Sequence, residues 1–297
     1  MLIQCVPNFS EGRRPTVVAA IVDAVRATAG VRLADWSADP DHNRLVVTFV
    51  GPPGPVRAAA LAAAAVAVAR IDLGRHEGVH PRLGALDVLP FVPLRGLTLA
   101  DCAALAREVG QELAARHSLP VFLYESAAPD GRSLPVVRRE AFRTLMPDFG
   151  PALPHPTAGA AVVGARGPLI AYNVVLATPD LSAARTIARE MRVLPSLPGI
   201  RALGLRLSSR GLTQVSMNLT RPAETPLLAV FREVAARALA LGASVVESEV
   251  IGALPGPSAF AVLSDALQAP ALKPGQVLWE NWDVPDKGTS ARNAPGR

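Results

Sequence analysis

The sequence predicts an α+β protein built from two ferredoxin-like β-α-β-β-α-β units, with antiparallel sheets and helices on one face. Three observations predict it. Short apolar, β-branched runs alternate with segments whose apolar residues recur at helical spacing. The order β-α-β-β-α-β occurs once in the first 125 residues and again from Leu169 onward. Half of the 297 residues are hydrophobic, ample for two cores. Split β-α-β units of this order form sheets covered by helices on one side, and two such units side by side leave a cleft between them.

The elements follow in order. Met1 to Phe9 reads as a strand broken by Pro7, and Ser10-Glu11-Gly12 as a turn. Pro15 to Thr28 carries apolar residues at 17, 18, 21, 22 and 25, a helical spacing that Gly30 stops. Val31 to Asp35 is a predicted strand, followed by a loop from Ser37 to Asp41. Asn43 to Val50 is a β-branched strand ended by Gly51-Pro52-Pro53-Gly54. Pro55 opens an Ala-rich helix running towards Leu73, as Pro does at a first helical position. A strand at Val88 to Leu94 precedes a helix from Leu99 to His117. Thr98 is its expected N-cap, with Asp101 three residues on. Val121 to Tyr124 is the next strand, and Pro129 to Pro156 is rich in Pro and charge.

The pattern then restarts. Leu169 to Ala177 is a strand, and Leu181 to Arg192 a helix capped by Asp180. Strands follow at Ala202 to Leu207 and Leu212 to Leu219 around the turn Ser208-Ser209-Arg210-Gly211. Thr225-Pro226 opens a helix to Leu241, Ser244 to Val250 is a strand, and Ser258 to Ala269 a last helix. We expect units at 1–178 and 179–272, and a fraying polar tail at 273–297.

Composition narrows the class. The longest apolar run, Ala58 to Ala69, is too short and Ala-rich to span a bilayer, and the N-terminus has no signal-peptide pattern. Two cysteines make no disulfide framework, so a reduced, cytoplasmic protein is expected. The net charge is +5, and only two of the thirty basic residues, Lys273 and Lys287, are Lys. Arg is the better bidentate partner for carboxylates. Aromatic residues are only 4%, too few for a nucleic-acid stacking platform, so anionic small substrates fit better.

The densest chemistry lies at Gly74-Arg75-His76-Glu77-Gly78-Val79-His80-Pro81-Arg82-Leu83-Gly84-Ala85-Leu86-Asp87. Two of the five histidines sit here, between a predicted helix and a predicted strand. His76 to His80 spells H-E-x-x-H, a zinc motif that requires both histidines on one helical face. Gly78 and Pro81 oppose a helix, so a metal-free site is expected; a zinc hydrolase is the weaker alternative. On a Gly- and Pro-fixed loop beside Arg82 and Asp87, a His is a candidate acid–base group, because an imidazole exchanges protons near neutrality.

The run His76 to Val88 resembles the central motif of glutamate formimidoyltransferases. Cys5-Val6-Pro7-Asn8-Phe9-Ser10-Glu11-Gly12, Asp39-Pro40-Asp41-His42-Asn43-Arg44 and Thr48-Phe49-Val50-Gly51 agree with it. So do Asp148-Phe149-Gly150-Pro151, Leu169-Ile170-Ala171-Tyr172-Asn173 and Gln214-Val215-Ser216-Met217-Asn218-Leu219-Thr220. The resemblance implies transfer of a formimidoyl group from N-formimidoyl-L-glutamate to N5 of tetrahydrofolate, within one-carbon metabolism and histidine degradation. It implies two α/β subdomains with a substrate tunnel, in a stand-alone form without the cyclodeaminase of larger relatives. His80 takes the place of the catalytic His, moving the proton from N5 to the leaving glutamate nitrogen. Asp35, Asn43, Arg44, His76 and Arg82 are the expected substrate-binding residues. Asp35 or Asp87 would orient His80 or meet the cationic formamidine.

The folate-binding segment corresponds to Gly150, Pro151, Ala152, Leu153, Pro154, His155, Pro156, Thr157, Ala158 and Gly159, with a further contact near Gly199. Tetrahydrofolate enters as a co-substrate, and a homodimer is expected from relatives. One departure stands out: the loop Arg192 to Gly199 lacks the family's Gly/Ser richness, which opens the alternative of a folate-binding paralogue without transferase activity. His42, in a turn, and His117, at a helix end, are assigned no role.

Overall fold

The computed structural model describes residues 1–272. The first sheet contains β1 (Leu2–Cys5), β2 (Asn8–Phe9), β3 (Arg32–Asp39), β4 (Arg44–Gly51), β5 (Leu86–Arg95), β6 (Val121–Glu125) and β7 (Ala161–Ala165). Its helices are α1 (Pro15–Arg26), α2 (Pro53–Arg70), α3 (Leu99–His117) and α4 (Leu134–Glu140). The second sheet contains β8 (Ile170–Leu176), β9 (Ile200–Leu207), β10 (Leu212–Leu219) and β11 (Val245–Ile251). Its helices are α5 (Leu181–Arg192), α6 (Leu227–Ala240) and α7 (Gly256–Ala266).

Each unit realises the expected plan. In the second, the spatial order is β11-β8-β10-β9, and every pairing is antiparallel. In the first, β1 and β2 form one strand line, interrupted at Pro7, between β4 and β5, and β3 flanks β4. That is the same interleaved order. Two parallel strands then extend it: β7 pairs with β5, and β6 pairs with β7. The first sheet is therefore mixed, not purely antiparallel.

Each unit has its own apolar core on its helix-covered face. In the first, Ile3, Phe9, Phe49 and Phe91 pack under α1, α2 and α3. The Ala faces of α2, including Ala59, Ala60, Ala63, Ala64 and Ala67, are buried. In the second, Tyr172, Val174, Val215 and Met217 pack against Ile187 and Met191 of α5 and Val230 and Val234 of α6. Strand side chains alternate between faces, so these residues leave their neighbours on the opposite side of each sheet.

Several boundaries move. The loop predicted from Ser37 is the end of β3, because the hairpin is tight: Asp39 pairs with Arg44, and Asn43 turns the chain at φ 47°. Strand β8 belongs to the second sheet, so the change of sheet falls between Ala165 and Ile170, before residue 178. Helix α4 lies in the Pro- and charge-rich stretch, and strand β7 in a segment to which the sequence assigned no element. Helix α4 also breaks the expectation of helices on one face. Val137 packs with Val88, Phe122, Tyr124 and Val162, on the side of the sheet opposite α1 to α3. The expected tail at 273–297 lies outside the described residues.

Helix α3 matches its predicted ends. Thr98 Oγ1 accepts from the Asp101 N–H, and the Asp101 carboxylate accepts from the Thr98 N–H at 2.8 Å. Thr98→Ala is expected to cost about 1 kcal/mol, measured by urea denaturation.

Candidate active site

The face of the first sheet opposite α1 to α3 and the face of the second sheet opposite α5 and α6 line a cavity of ≈ 420 Å³, to which α4 adds Leu134 and Arg138; the volume is within the usual range for small-molecule sites. Alternation along the strands sets polar side chains among apolar ones on its walls. Gln4 and Asn8 come from β1 and β2, Arg44 and Thr48 from β4, Asn173 from β8, and Ser216 and Asn218 from β10. Among the described residues four arginines line it, Arg44, Arg138, Arg166 and Arg201, against one carboxylate, Glu125. Such a cleft concentrates anions.

His80 reaches this cleft from the 74–87 loop. A short 3₁₀ turn at Leu73–Arg75 ends before His76, and residues 76–80 are not helical. The H-E-x-x-H spelling therefore offers no helical pair of ligands. No group of three or more His, Cys, Asp or Glu among the described residues is arranged for a metal. The loop is instead held by its own polar side chains. Asn43 accepts from the Gly12 N–H at 2.8 Å and donates to the Glu77 carbonyl at 2.8 Å. Arg82 donates to the Gly78 carbonyl at 2.8 Å and to the His80 carbonyl at 2.6 Å. Its Nη1 lies 2.9 Å from His76 Nε2, which also sits 3.1 Å from the Asn43 carbonyl.

Behind the loop is a buried ionic centre. Asp87 is fully buried at the start of β5, and its Oδ1 accepts from the Leu83 N–H at 2.7 Å. Its Oδ2 accepts from Arg44 at 2.7 Å and from Arg138 at 2.6 Å. Asn8 Oδ1 accepts from Arg44 Nη2 at 2.8 Å, fixing the guanidinium from the other side. Burial alone would raise the Asp87 pKa, but Arg138, Arg44 and the Leu83 N–H outweigh it and hold it at about 2. Two guanidiniums facing one carboxylate leave a net positive charge beside His80.

That charge shapes His80. Its Nδ1 lies 2.8 Å from the Pro81 carbonyl, so Nδ1 carries the proton and Nε2 presents a lone pair. Burial, then the charges of Arg44 and Arg138, push its pKa from 6.5 to about 2, against the opposing pull of Asp87. The His42 ring lies 6.0 Å from the His80 ring, centroid to centroid.

The loop's approach to His42 is tight at Gly78. A Cβ there would come within 2.5 Å of the His42 carbonyl and 2.9 Å of Arg82 Nη2. Gly78→Ala is expected to shift His80 and lower kcat/KM by about 10²-fold. A thermal midpoint close to that of the parent would separate displacement of the loop from unfolding.

Of the residues expected from sequence, Arg44 and His80 line the cleft together. Asn43, His76 and Arg82 hold the loop through the bonds described above. Asp35 does not line the cavity; its carboxylate accepts from the Gly252 N–H at 3.2 Å and ties the two units together. Residues 150–159 and Gly199 do not line it either. The 150–159 segment braces the outside of the 73–87 stretch: Leu73 N–H donates to the Thr157 carbonyl at 2.8 Å and Ala85 N–H to the Ala158 carbonyl at 2.9 Å. Gly199 adjoins the cleft through Thr220, whose N–H donates to its carbonyl at 2.9 Å.

Sequence reasoning missed Arg138 and gave His42 no role. The Arg138 signal was Pro135 at the second position of a short helix, inside a stretch dominated by Pro and charge.

Comparison with known proteins agrees with this architecture. Residues 2–166 match the family model described as the formiminotransferase domain, N-terminal subdomain, and residues 171–265 the one described as the formiminotransferase domain. The chain is 35% identical to a glutamate formimidoyltransferase of Streptococcus pyogenes serotype M1, over 94% of this chain and 98% of that one. It is 37% identical to one of Thermoplasma acidophilum, over 93% and 96%. It is 42% identical to the formimidoyltransferase-cyclodeaminase of Sus scrofa, over 86% of this chain and 50% of that one. Two family models that divide at the change of sheet, and relatives matched nearly end to end, place this chain in the formiminotransferase family.

Proposed function

We propose that this protein is a glutamate formimidoyltransferase, moving the formimidoyl group of N-formimidoyl-L-glutamate to N5 of tetrahydrofolate, with His80 as the base. The observation that carries the reading is His80 itself: Nδ1 anchored, Nε2 free, in a cleft of four arginines and one carboxylate. Both substrates carry carboxylates, which the cationic walls attract. As N5 attacks the formamidine carbon, the proton on N5 passes to His80 Nε2. The carbon–nitrogen bond to glutamate then breaks, and the glutamate nitrogen gains a proton. Holding both substrates between two rigid sheets supplies the remaining advantage of proximity.

Folate is a co-substrate in this reading, and the chemistry calls on no metal. Residues 150–159 and Gly199 remain proposed folate contacts on the strength of the resemblance. A homodimer and a cytoplasmic location are likewise proposals; no described helix is long and apolar enough to cross a membrane.

The test is incubation with formimidoylglutamate and tetrahydrofolate, acid treatment, and measurement of methenyl-tetrahydrofolate absorbance. Absorbance that grows with enzyme is the expected result. Folded protein that binds folate without producing it would leave the paralogue reading instead. Prior chelation is expected to leave the rate unchanged; stoichiometric, tightly bound zinc in protein that produces no such absorbance would favour the hydrolase reading.

A further inference from the structure

A second imidazole stands in the same cleft. His42 lies in the β3–β4 turn, its side chain is 8% exposed, and it lines the cavity beside His80. Its backbone N–H donates to Asp39 Oδ1 at 2.8 Å, and its Nδ1 lies 3.9 Å from Asp39 Oδ2. Its other ring nitrogen, Nε2, is buried and has no hydrogen-bond partner among the described residues. A buried polar nitrogen at a binding cleft calls for a functional explanation. The environment of His80 supplies the reason to look for one. Arg44 and Arg138 oppose its protonation, which keeps Nε2 open to receive a proton and makes the ring a poor reservoir for a proton needed later.

We propose that His42 is a second catalytic residue, delivering the proton to the departing glutamate nitrogen while His80 accepts the proton from N5. The bond from N5 to the formamidine carbon forms, and the N5 proton moves to His80 Nε2. The bond from that carbon to the glutamate nitrogen breaks and its electron pair stays on nitrogen; His42, carrying a proton on both ring nitrogens as the step begins, gives its Nε2–H to that nitrogen and is left as the neutral ring. Proton transfer from His80 to His42 restores both rings. The Asp39 carboxylate, on the Nδ1 side of the ring, positions His42 so that Nε2 remains the working atom.

The inference rests on the formimidoyl-transfer reading, and its test separates the two. Wild type, His42→Gln and His42→Asn are assayed with N-formimidoyl-L-glutamate and with N-formimidoyl-3,3-difluoroglutamate. The second donor's leaving amine is much less basic and depends less on protonation. With the natural donor, His42→Gln is expected to lose about 10²-fold or more in kcat. With the fluorinated donor, the loss is expected to shrink at least tenfold. A positioning or folding defect would depress both donors equally. The donor ratio within one variant does not depend on how much protein is folded, so His42→Asn gives the same reading if His42→Gln is unstable. Equal losses with the two donors, or no loss, overturn the proposal. Failure of the wild type with both donors overturns the transferase reading itself.

Discussion

Replacing His80 with Ala is expected to lower kcat about 10²- to 10⁴-fold, the usual worth of a positioned acid–base group, with KM for folate and the melting temperature little changed. Among the described residues the ring makes one hydrogen bond, from Nδ1 to the Pro81 carbonyl, so its loss leaves no buried partner stranded. Undiminished turnover would sink the assignment of the base while leaving the activity intact. The same site predicts an unusual pH profile. Because His80 is held at about 2, it remains a free base throughout the neutral and mildly acid range, and its protonation produces no fall in kcat/KM between pH 8 and pH 6. Arg138→Met removes one of the two cations that oppose the imidazolium and leaves Asp87 paired with Arg44. The acid limb due to His80 is then expected to move upward. A profile identical to wild type would show that these charges do not set the base.

Asp87→Ala is expected to be the most destabilising single change at the site. It strands Arg44 and Arg138 beside each other and frees the Leu83 N–H. Breaking a buried ion pair by removing one partner costs about 3–5 kcal/mol. At roughly 2–4 °C per kcal/mol for a unit of this size, the melting temperature should fall by roughly 6–20 °C. A fall of less than about 2 °C in a calorimetric scan would contradict the role given to this centre. The same carboxylate predicts acid sensitivity. Its folded pKa, about 2, is below the ordinary 3.8, so its contribution is complete above about pH 4 and is lost as pH falls through 2. His80 adds an earlier decline. The unfolded chain binds a proton below about 6.5 while the folded ring does not, so stability begins to fall there.

What could be read from the sequence follows local physics. The bounds of α3 and α5 were legible because their caps, Thr98 with Asp101 and Asp180, are written within a few residues of each helix start. The two repeated strand orders were legible because the strands are short apolar runs bounded by turn residues. Strand β7 was not, because Ala161–Ala165 is buried throughout and shows no alternation. Helix α4 has only seven residues and one buried side chain, so its periodicity is too short to read. That gap concealed Arg138, since nothing near it in sequence shows that it meets Asp87, 51 residues away. His80 was legible because Gly78 and Pro81 mark its loop. The identity of the opposite wall was not, because it depends on how two separately folded units face each other.

Among the described residues those units share no apolar core. Asp35 with Gly252, Asp41 with Ser209 at 3.0 and 2.5 Å, and Glu125 with Arg201 at 3.2 Å clasp them at points around a polar cleft. The clasps hold two surfaces together that water would otherwise wet. A ligand bound between them therefore serves as mortar as well as cargo. Its binding energy adds to the cohesion of the whole chain, by about 2.7 kcal/mol at a hundredfold excess over Kd. An enzyme well supplied with substrate would be a sturdier object than the same enzyme starved of it. Its lifetime against proteolysis would then track the supply of the compounds it consumes.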